Sequence, residues 1–225
     1  MARFVISDIH GAHKALVQCL ERSKFDRDKD LLICLGDVCD GYANVPESFE
    51  ELLTIKNLVY ILGNHDVWCL EWAISGNTPG VWLDQGGHST IKSYNGSFNS
   101  SHFELLKGAK QYHIIDNMMF VHGGFEPNKP LEEQNLETFV WDRSLVFEAY
   151  QKNVNKKNVS GFDKVFVGHT PSLRFNSFSP VKFCEVTLTD TGAGWGKKLS
   201  IINIDNGEFF QSDETADLYP VNAGR

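Results

Sequence analysis

The chain has 225 residues, 42% hydrophobic and 22% charged, with a formal net charge of −8. That length and mix suit a single globular core, and the acidic balance argues against a chain that coats nucleic acid, which needs a basic face. Five cysteines, an odd number with no C-x-x-C pair, fit a reduced cytoplasmic setting; the N-terminus lacks a signal peptide's apolar core, and no apolar run nears the ~18 residues of a membrane span.

In chain order, Arg3–Ser7 reads as a short buried strand and Ala12–Arg22 as a helix with Ala15, Leu16, Cys19 and Leu20 on one face. Leu31–Leu35 is a strand, Pro46–Ile55 a helix with proline in its first turn, Asn57–Leu62 a strand and Asp66–Ile74 a helix. This alternation predicts an α/β chain with a parallel sheet. Ser75–Ser101, rich in Gly, Asn, Ser and Thr, reads mostly as loop, followed by a short helix over Phe103–Lys110. Tyr112–Asp116 and Met118–Val121 read as strands joined tightly, and Leu136–Lys152 as one helix. Val165–Val167, Phe183–Thr187 and Leu199–Ile204 read as strands, with a hairpin signal at Asn206-Gly207. One domain is expected over residues 1–211 and a polar, loosely held tail over 212–225.

Five of the apolar runs stop beside glycine and a metal-capable side chain. The segments are Ser7-Asp8-Ile9-His10-Gly11, Gly36-Asp37-Val38-Cys39-Asp40-Gly41, Gly63-Asn64-His65-Asp66, Val121-His122-Gly123-Gly124 and Gly168-His169-Thr170-Pro171. Ligand sites of open α/β sheets lie beyond the carboxyl ends of the strands. Asp8, Asp37 and Asn64 are spaced by 29 and 27 positions, each close to the ~30 residues of one β-α-β unit. Asp8, His10, Asp37 and Asn64 should therefore converge on one sheet edge. Imidazole nitrogens with carboxylate and amide oxygens suit manganese, iron or zinc, and one shared carboxylate, Asp37, can bridge two ions whose chemistry attacks a phosphoryl group.

Other polar residues read more plainly. His13, His88, His102 and His113 read as structural, Asp66 as a charge at a helix N-terminus, and Cys39 as packing. Asp26, Asp28 and Asp30 mimic a calcium loop, but Leu31 stands where its glycine is needed.

The ordered set D-x-H-G, G-D-x-x-D, G-N-H-D, H-G-G and G-H-T resembles the calcineurin-like metallophosphoesterases from about Arg3 to Ile204. Within them it is similar to bacterial and phage phosphoprotein phosphatases and to symmetrical diadenosine tetraphosphate hydrolases. The resemblance implies a four-layer β-sandwich flanked by helices, an α/β (α+β) fold, and two divalent ions, manganese first, with iron or zinc as alternatives. It implies that Asp8 and His10 hold one ion, that Asp37 bridges, and that Asn64, His122 and His169 hold the other. It implies further that His65 is the general acid, oriented by Asp40, that a metal-bridging hydroxide attacks phosphorus, and that Asp190-Thr191-Gly192 opens a loop near the site. It implies, too, that Arg143, in the place of a phosphate-gripping arginine, and Asn64 bind substrate.

Gly41 and Leu62 stand where protein phosphatases of this family carry two more arginines, and Pro171 stands where nuclease branches carry a further histidine. The implied substrate is a phosphorylated protein or a small phosphoester or nucleotide. Protein phosphatase, dinucleoside polyphosphate hydrolase and a non-catalytic metal-stabilised module all stay open, with substrate choice expected in Ser75–Ser101 and Asn153–Asp163.

Overall fold

The computed structural model describes residues 1–155 and 157–220. Lys156, inside the 153–163 loop, and positions 221–225 of the expected tail lie outside the described residues.

Two five-stranded sheets carry the chain. The first contains β1 (Arg3–Ile6), β2 (Leu31–Cys34) and β3 (Asn57–Tyr60), parallel to one another, with antiparallel β9 (Ser200–Asn203) and β10 (Phe209–Gln211) beyond β1. Between its strands run α1 (His13–Arg22) and α2 (Val45–Leu53), and α3 (Asn64–Ser75) follows β3. The second sheet has the order β4 (Tyr112–Ile115), β5 (Met118–Val121), β6 (Lys164–Val167), β8 (Val186–Leu188) and β7 (Val181–Phe183), its three central strands parallel.

The period of two along each strand sets the layers. Val5, Ile33, Phe120, Phe166 and Ile202 point into one buried cluster between the sheets, where Phe120 and Phe166 stack with ring centroids 5.0 Å apart. Their neighbours Phe4, Ile6, Leu32, Cys34 and Ile201 face the outer cluster that α1, α2 and α3 cover. Met119, Val121, Val165 and Val167 face a third cluster under α7 (Leu136–Trp141) and α8 (Ser144–Lys152). The result is helix, sheet, sheet, helix: the expected four layers, in a mixed α/β chain. The central strands are apolar on both faces because each sheet is covered twice.

Four local expectations are corrected. The Ser75–Ser101 stretch is largely helical: α4 (Gly80–Trp82), a widened turn at Leu83–Gly87 and α5 (His88–Ser93), followed by α6 (Ser100–Lys107). Its composition argues against helix, but burial of Trp82 and Thr90 overrides propensity. The single helix expected over Leu136–Lys152 is broken at Asp142, whose carboxylate accepts from the N–H groups of Ser144 and Leu145 and caps α8. The strand expected over Phe183–Thr187 is the hairpin β7–β8, turned through Cys184 at φ +52°. Residues 212–219 are docked, not loose: Tyr219 stacks on Tyr42 with centroids 4.6 Å apart, and the buried Thr215 hydroxyl accepts from Tyr42 Oη.

Gly36 lies where β2 leaves the sheet against the end of β3. It has φ +89°, and a Cβ there would overlap the backbone nitrogen of Gly63. Gly36→Ala should cost about 2–5 kcal/mol of stability, the sum of left-handed strain and backbone overlap. A urea denaturation midpoint that stays at the wild-type value would show that the crossing can open without cost.

Candidate metal centre

At the carboxyl ends of β1, β2 and β6 the chain repeatedly enters left-handed backbone. Asp8, His10, Asp37, Asp40 and His169 all have φ between +49° and +71°. That conformation costs a non-glycine residue energy, and it is concentrated where side chains must be aimed rather than packed. The turns are laced together. Asp8 N–H donates to Gly36 O at 3.0 Å, His10 N–H to Asp37 O at 2.9 Å, and Gly168 N–H to His122 O at 2.8 Å. The two sheets join where the N–H of His169 donates to the Asp8 carboxylate at 3.1 Å. Gly168 must lack a Cβ there, because one would overlap Asp8 Oδ2.

The six residues singled out as metal ligands come together. Ligand atoms of Asp8, His10 and Asp37 lie within 4.8 Å of one another, as do those of Asp37, His122 and His169, and all five residues are buried. The two groups share Asp37. Asn64 completes the second: its Oδ1 is 3.1 Å from His122 Nε2. Two of these atoms, Asp37 Oδ2 and His169 Nε2, are buried without a hydrogen-bond partner. Buried polar atoms are ordinarily satisfied, and two unsatisfied Lewis-basic atoms beside a shared carboxylate fit a cation. The donor set of oxygen and imidazole nitrogen fits manganese, iron or zinc.

Backbone carbonyls fix the rings. His10 Nδ1 faces Cys39 O at 3.0 Å and His122 Nδ1 faces Leu35 O at 2.7 Å. A carbonyl only accepts, so each Nδ1 carries hydrogen and each Nε2 turns toward the carboxylates, as outer partners of ligating histidines do. His122 Nε2 in turn faces Asn64 Oδ1 and, at 3.3 Å, Asp37 Oδ2. Both ring nitrogens then have acceptors. Burial alone would lower the His122 pKa, but Asp37 outweighs it and raises it to about 9. Burial raises Asp37 as well, yet His122 and His65 pull it well below the usual carboxylate range. Burial, reinforced by His122 and Arg143, pushes His169 far below an ordinary histidine. Burial raises Asp8 to about 6.

Beside these groups His65 Nδ1 lies 2.6 Å from Asp40 Oδ2, both side chains fully buried, and His65 Nε2 has no partner. The rings of His65 and His10 meet edge to face at 5.0 Å. Arg143 is at the rim, its Nη1 donating to His169 O at 2.7 Å; the helix break at Asp142 is what aims it there. Asp190 O accepts from Ser172 N–H at 2.9 Å, tying the Asp190-Thr191-Gly192 loop to the His169 turn. The histidines read as structural lie elsewhere, His13 beside Glu51 and His102 beside Glu50.

Asp66 does more than place a charge at a helix N-terminus. Its carboxylate accepts from the N–H groups of Asp37 (2.8 Å), Val38 (3.1 Å), Cys39 (3.3 Å) and Gly63 (3.1 Å) and from Tyr60 Oη (3.0 Å). It ties the Asp37 turn to the start of α3. Trp82 and Thr90, which bond Asp40, were hidden in the stretch read as loop.

The chain belongs to the calcineurin-like phosphoesterases, whose family profile matches residues 1–194. It is 25% identical over 215 residues to serine/threonine-protein phosphatase 1 of Salmonella typhimurium, across 89% of this chain and 91% of that protein. It is 28% identical over 163 residues to the symmetrical bis(5'-nucleosyl)-tetraphosphatase of Nitrosomonas europaea, across 68% of this chain but 57% of that enzyme. In fold it is similar to a crystal structure provisionally assigned as a diadenosine tetraphosphatase, with a TM-score of 0.70 at 16% identity, covering 93% of this chain and 91% of that one. It is also similar to the cold-active protein-tyrosine phosphatase of a Shewanella species, with a TM-score of 0.62 at 14% identity, covering 94% and 80%. Among the described residues no helix is long and apolar enough to cross a membrane.

The raised His122 pKa has a checkable consequence. Its folded value lies above the ordinary 6.5, so the protonated ring stabilises the metal-free chain below that pH, and this contribution is lost as pH rises through about 9. A cation must displace that proton. Mn²⁺ affinity should therefore rise about tenfold per pH unit up to pH ~9 and then level off. Imidazole NMR of the metal-free protein should show His122 titrating near 9. Affinity that is flat across this range would contradict the assignment.

Proposed function

We propose that this chain hydrolyses phosphate monoesters at two divalent ions, manganese first, with phosphorylated serine or threonine of a protein as the leading substrate. The observation that carries this reading is the pair of ligand groups hinged on Asp37, with His65 and Asp40 at their side. Ions held there supply Lewis acidity to a phosphoryl group and lower the pKa of water.

The chain's residues divide the remaining work. Asp8 and His10 hold one ion, Asn64, His122 and His169 the other, and Asp37 both. The carbonyls of Cys39 and Leu35 keep His10 and His122 from rotating away. His65 carries a proton at Nε2 toward the leaving oxygen, while Asp40 accepts from Nδ1 and steadies the charged ring. Arg143, anchored on the His169 carbonyl, grips the phosphate from the rim, and the buried Asn64 contacts it from inside. Five free cysteines, four of them buried, support a cytoplasmic setting.

The protein-phosphatase reading is supported by the Salmonella relative, which matches along nearly its whole length. A second reading, hydrolysis of dinucleoside polyphosphates, is favoured by one observation. Position 41 is a glycine at φ +80° and position 62 a buried leucine, so the guanidinium clamp is thinner than a phosphopeptide enzyme of this family carries.

Metal-stripped protein given back Mn²⁺ should cleave a phosphoserine peptide with higher kcat/KM than diadenosine tetraphosphate. The reverse order would move the assignment to the nucleotide, and turnover that persists in chelator would remove the metal mechanism altogether. Asp37→Asn should lose bound metal and activity together. His65→Asn should keep its metal and lose roughly 10²–10⁴ in kcat on a poor leaving group; an unchanged kcat would clear His65 of the role.

A further inference from the structure

Asp40 has no exposed surface, and a buried carboxylate needs hydrogen bonds to stay charged. His65 supplies one. The others come from Trp82 and Thr90. Trp82 Nε1 donates to Asp40 Oδ2 at 2.8 Å, Thr90 Oγ1 donates to Asp40 Oδ1 at 2.6 Å, and the same hydroxyl accepts from Asp40 N–H at 2.8 Å. We propose that Trp82 and Thr90 are positioning residues for proton delivery to the leaving group: they lock the Asp40 carboxylate in the one orientation that serves His65. The proposal rests on the reading of His65 as general acid.

The hydrogen-bond chemistry leaves little choice. An indole N–H only donates, so Asp40 Oδ2 accepts. The single hydroxyl proton of Thr90 is committed to Oδ1, because the Asp40 N–H already occupies the hydroxyl as donor. With both carboxylate oxygens accepting, His65 Nδ1 is the donor in its 2.6 Å contact. Nδ1 is thereby committed to Asp40, and Nε2, buried and without a hydrogen-bond partner, is left as the atom that faces the reaction. Asp40 itself has φ +71°, at the end of the G-D-x-x-D motif. The two donors from outside this turn hold its carboxylate from both oxygens.

The segment that carries these donors is shaped for the task. On a straight α-helix, residues eight apart are about 12 Å apart along the axis and could not reach one carboxylate. The widened turn between Trp82 and Thr90 removes that separation, and two glycines permit it. Gly86 has φ +103° and lies against the backbone of Gly41, where a Cβ would come within 2.8 Å of the nitrogen. A Cβ on Gly87 would strike the Trp82 ring at 2.6 Å. Trp82 is completely buried, and its tilted partner is Trp72 on α3, centroids 6.0 Å apart.

A purely structural role would lower stability or depress all substrates alike. A positioning role changes how strongly the rate depends on the leaving group. The test measures kcat and KM for phenyl phosphate and 4-nitrophenyl phosphate, which share a shape but differ in leaving-group acidity, in Mn²⁺-loaded full-length protein. Trp82→Phe and Thr90→Val should each lower the phenyl-to-nitrophenyl kcat ratio about tenfold, the scale of one hydrogen bond to a charged group. KM and bound metal should hold, and Thr90→Ser, which keeps the hydroxyl, should restore the ratio. Adding Trp82→Phe to His65→Asn should change the ratio no further. If His65→Asn leaves the ratio at the wild-type value, the general-acid reading fails. If His65→Asn lowers it while Trp82→Phe and Thr90→Val do not, the general acid stands and the positioning proposal is overturned. Should Trp82→Phe fail to fold, the Thr90→Val and Thr90→Ser pair decides alone.

Discussion

A carboxylate with no exposed surface, Asp37, sits where two sheets and three loops meet, and its charge has to be answered from every side. His122 lies 3.3 Å and His10 3.8 Å from Oδ2, and the N–H of His65 donates to Oδ1 at 2.9 Å. One turn away the equally buried Asp66 collects five donors, three of them the backbone N–H groups of the Asp37 loop itself. Like charges so close oppose each other. Burial first, and Asp37 next, raise Asp66 to about 6, while the histidines hold Asp37 low. The division is useful: Asp66 spends its charge on backbone N–H groups, and Asp37 keeps an oxygen uncommitted. A cation can answer that oxygen, which ties the candidate metal centre to how this loop is folded.

The division between sheets follows from the same constraint. The first sheet brings Asp8, His10, Asp37 and Asn64 on turns that follow parallel strands, and the second brings His122 and His169 across the sandwich. Neither sheet holds a complete site. The close approach at Gly168 and the His169 N–H bond to Asp8 keep them in register. The stacked Phe120 and Phe166 lie behind on the same strands β5 and β6. Packing between the sheets is thus linked directly to the separation of the candidate ligand atoms.

Much of this was legible in the residues. The six candidate ligands and the His65–Asp40 pair carry a local signal, a short apolar run stopping at glycine beside a polar side chain, and strand alternation fixed which edge they share. What was not legible is tertiary in origin. Gly80 to Ser93 has loop composition, and it is helical because Trp82 and Thr90 are buried against Asp40, a contact across 42 and 50 positions. Asp142 caps α8 in the middle of an otherwise continuous apolar periodicity, and an Asp inside such a pattern reads equally well as a solvated face. Thr215 and Tyr219 dock in a polar tail because Tyr42 awaits them, again invisible to any local pattern. The role of Asp66 could have been suspected: an acid three residues after the glycine that ends a strand is well placed to cap both.

The charge balance bears on substrate binding as well as on chemistry. Asp8, Asp37, Asp40 and Asp66 are all buried near one crevice, and the whole chain carries −8. Guanidinium groups are scarce there: positions 41 and 62 are glycine and leucine, and Arg143 spends Nη1 on the His169 carbonyl. The walls beside the histidines are indoles. Trp68 meets His65 and Trp141 meets His169 edge-on, at 5.2 and 5.5 Å, and the two indoles touch each other at 5.2 Å. Such a crevice repels a phosphate dianion until cations invert its potential. Cations at the two candidate ligand groups would therefore favour the approach of a phosphoryl group.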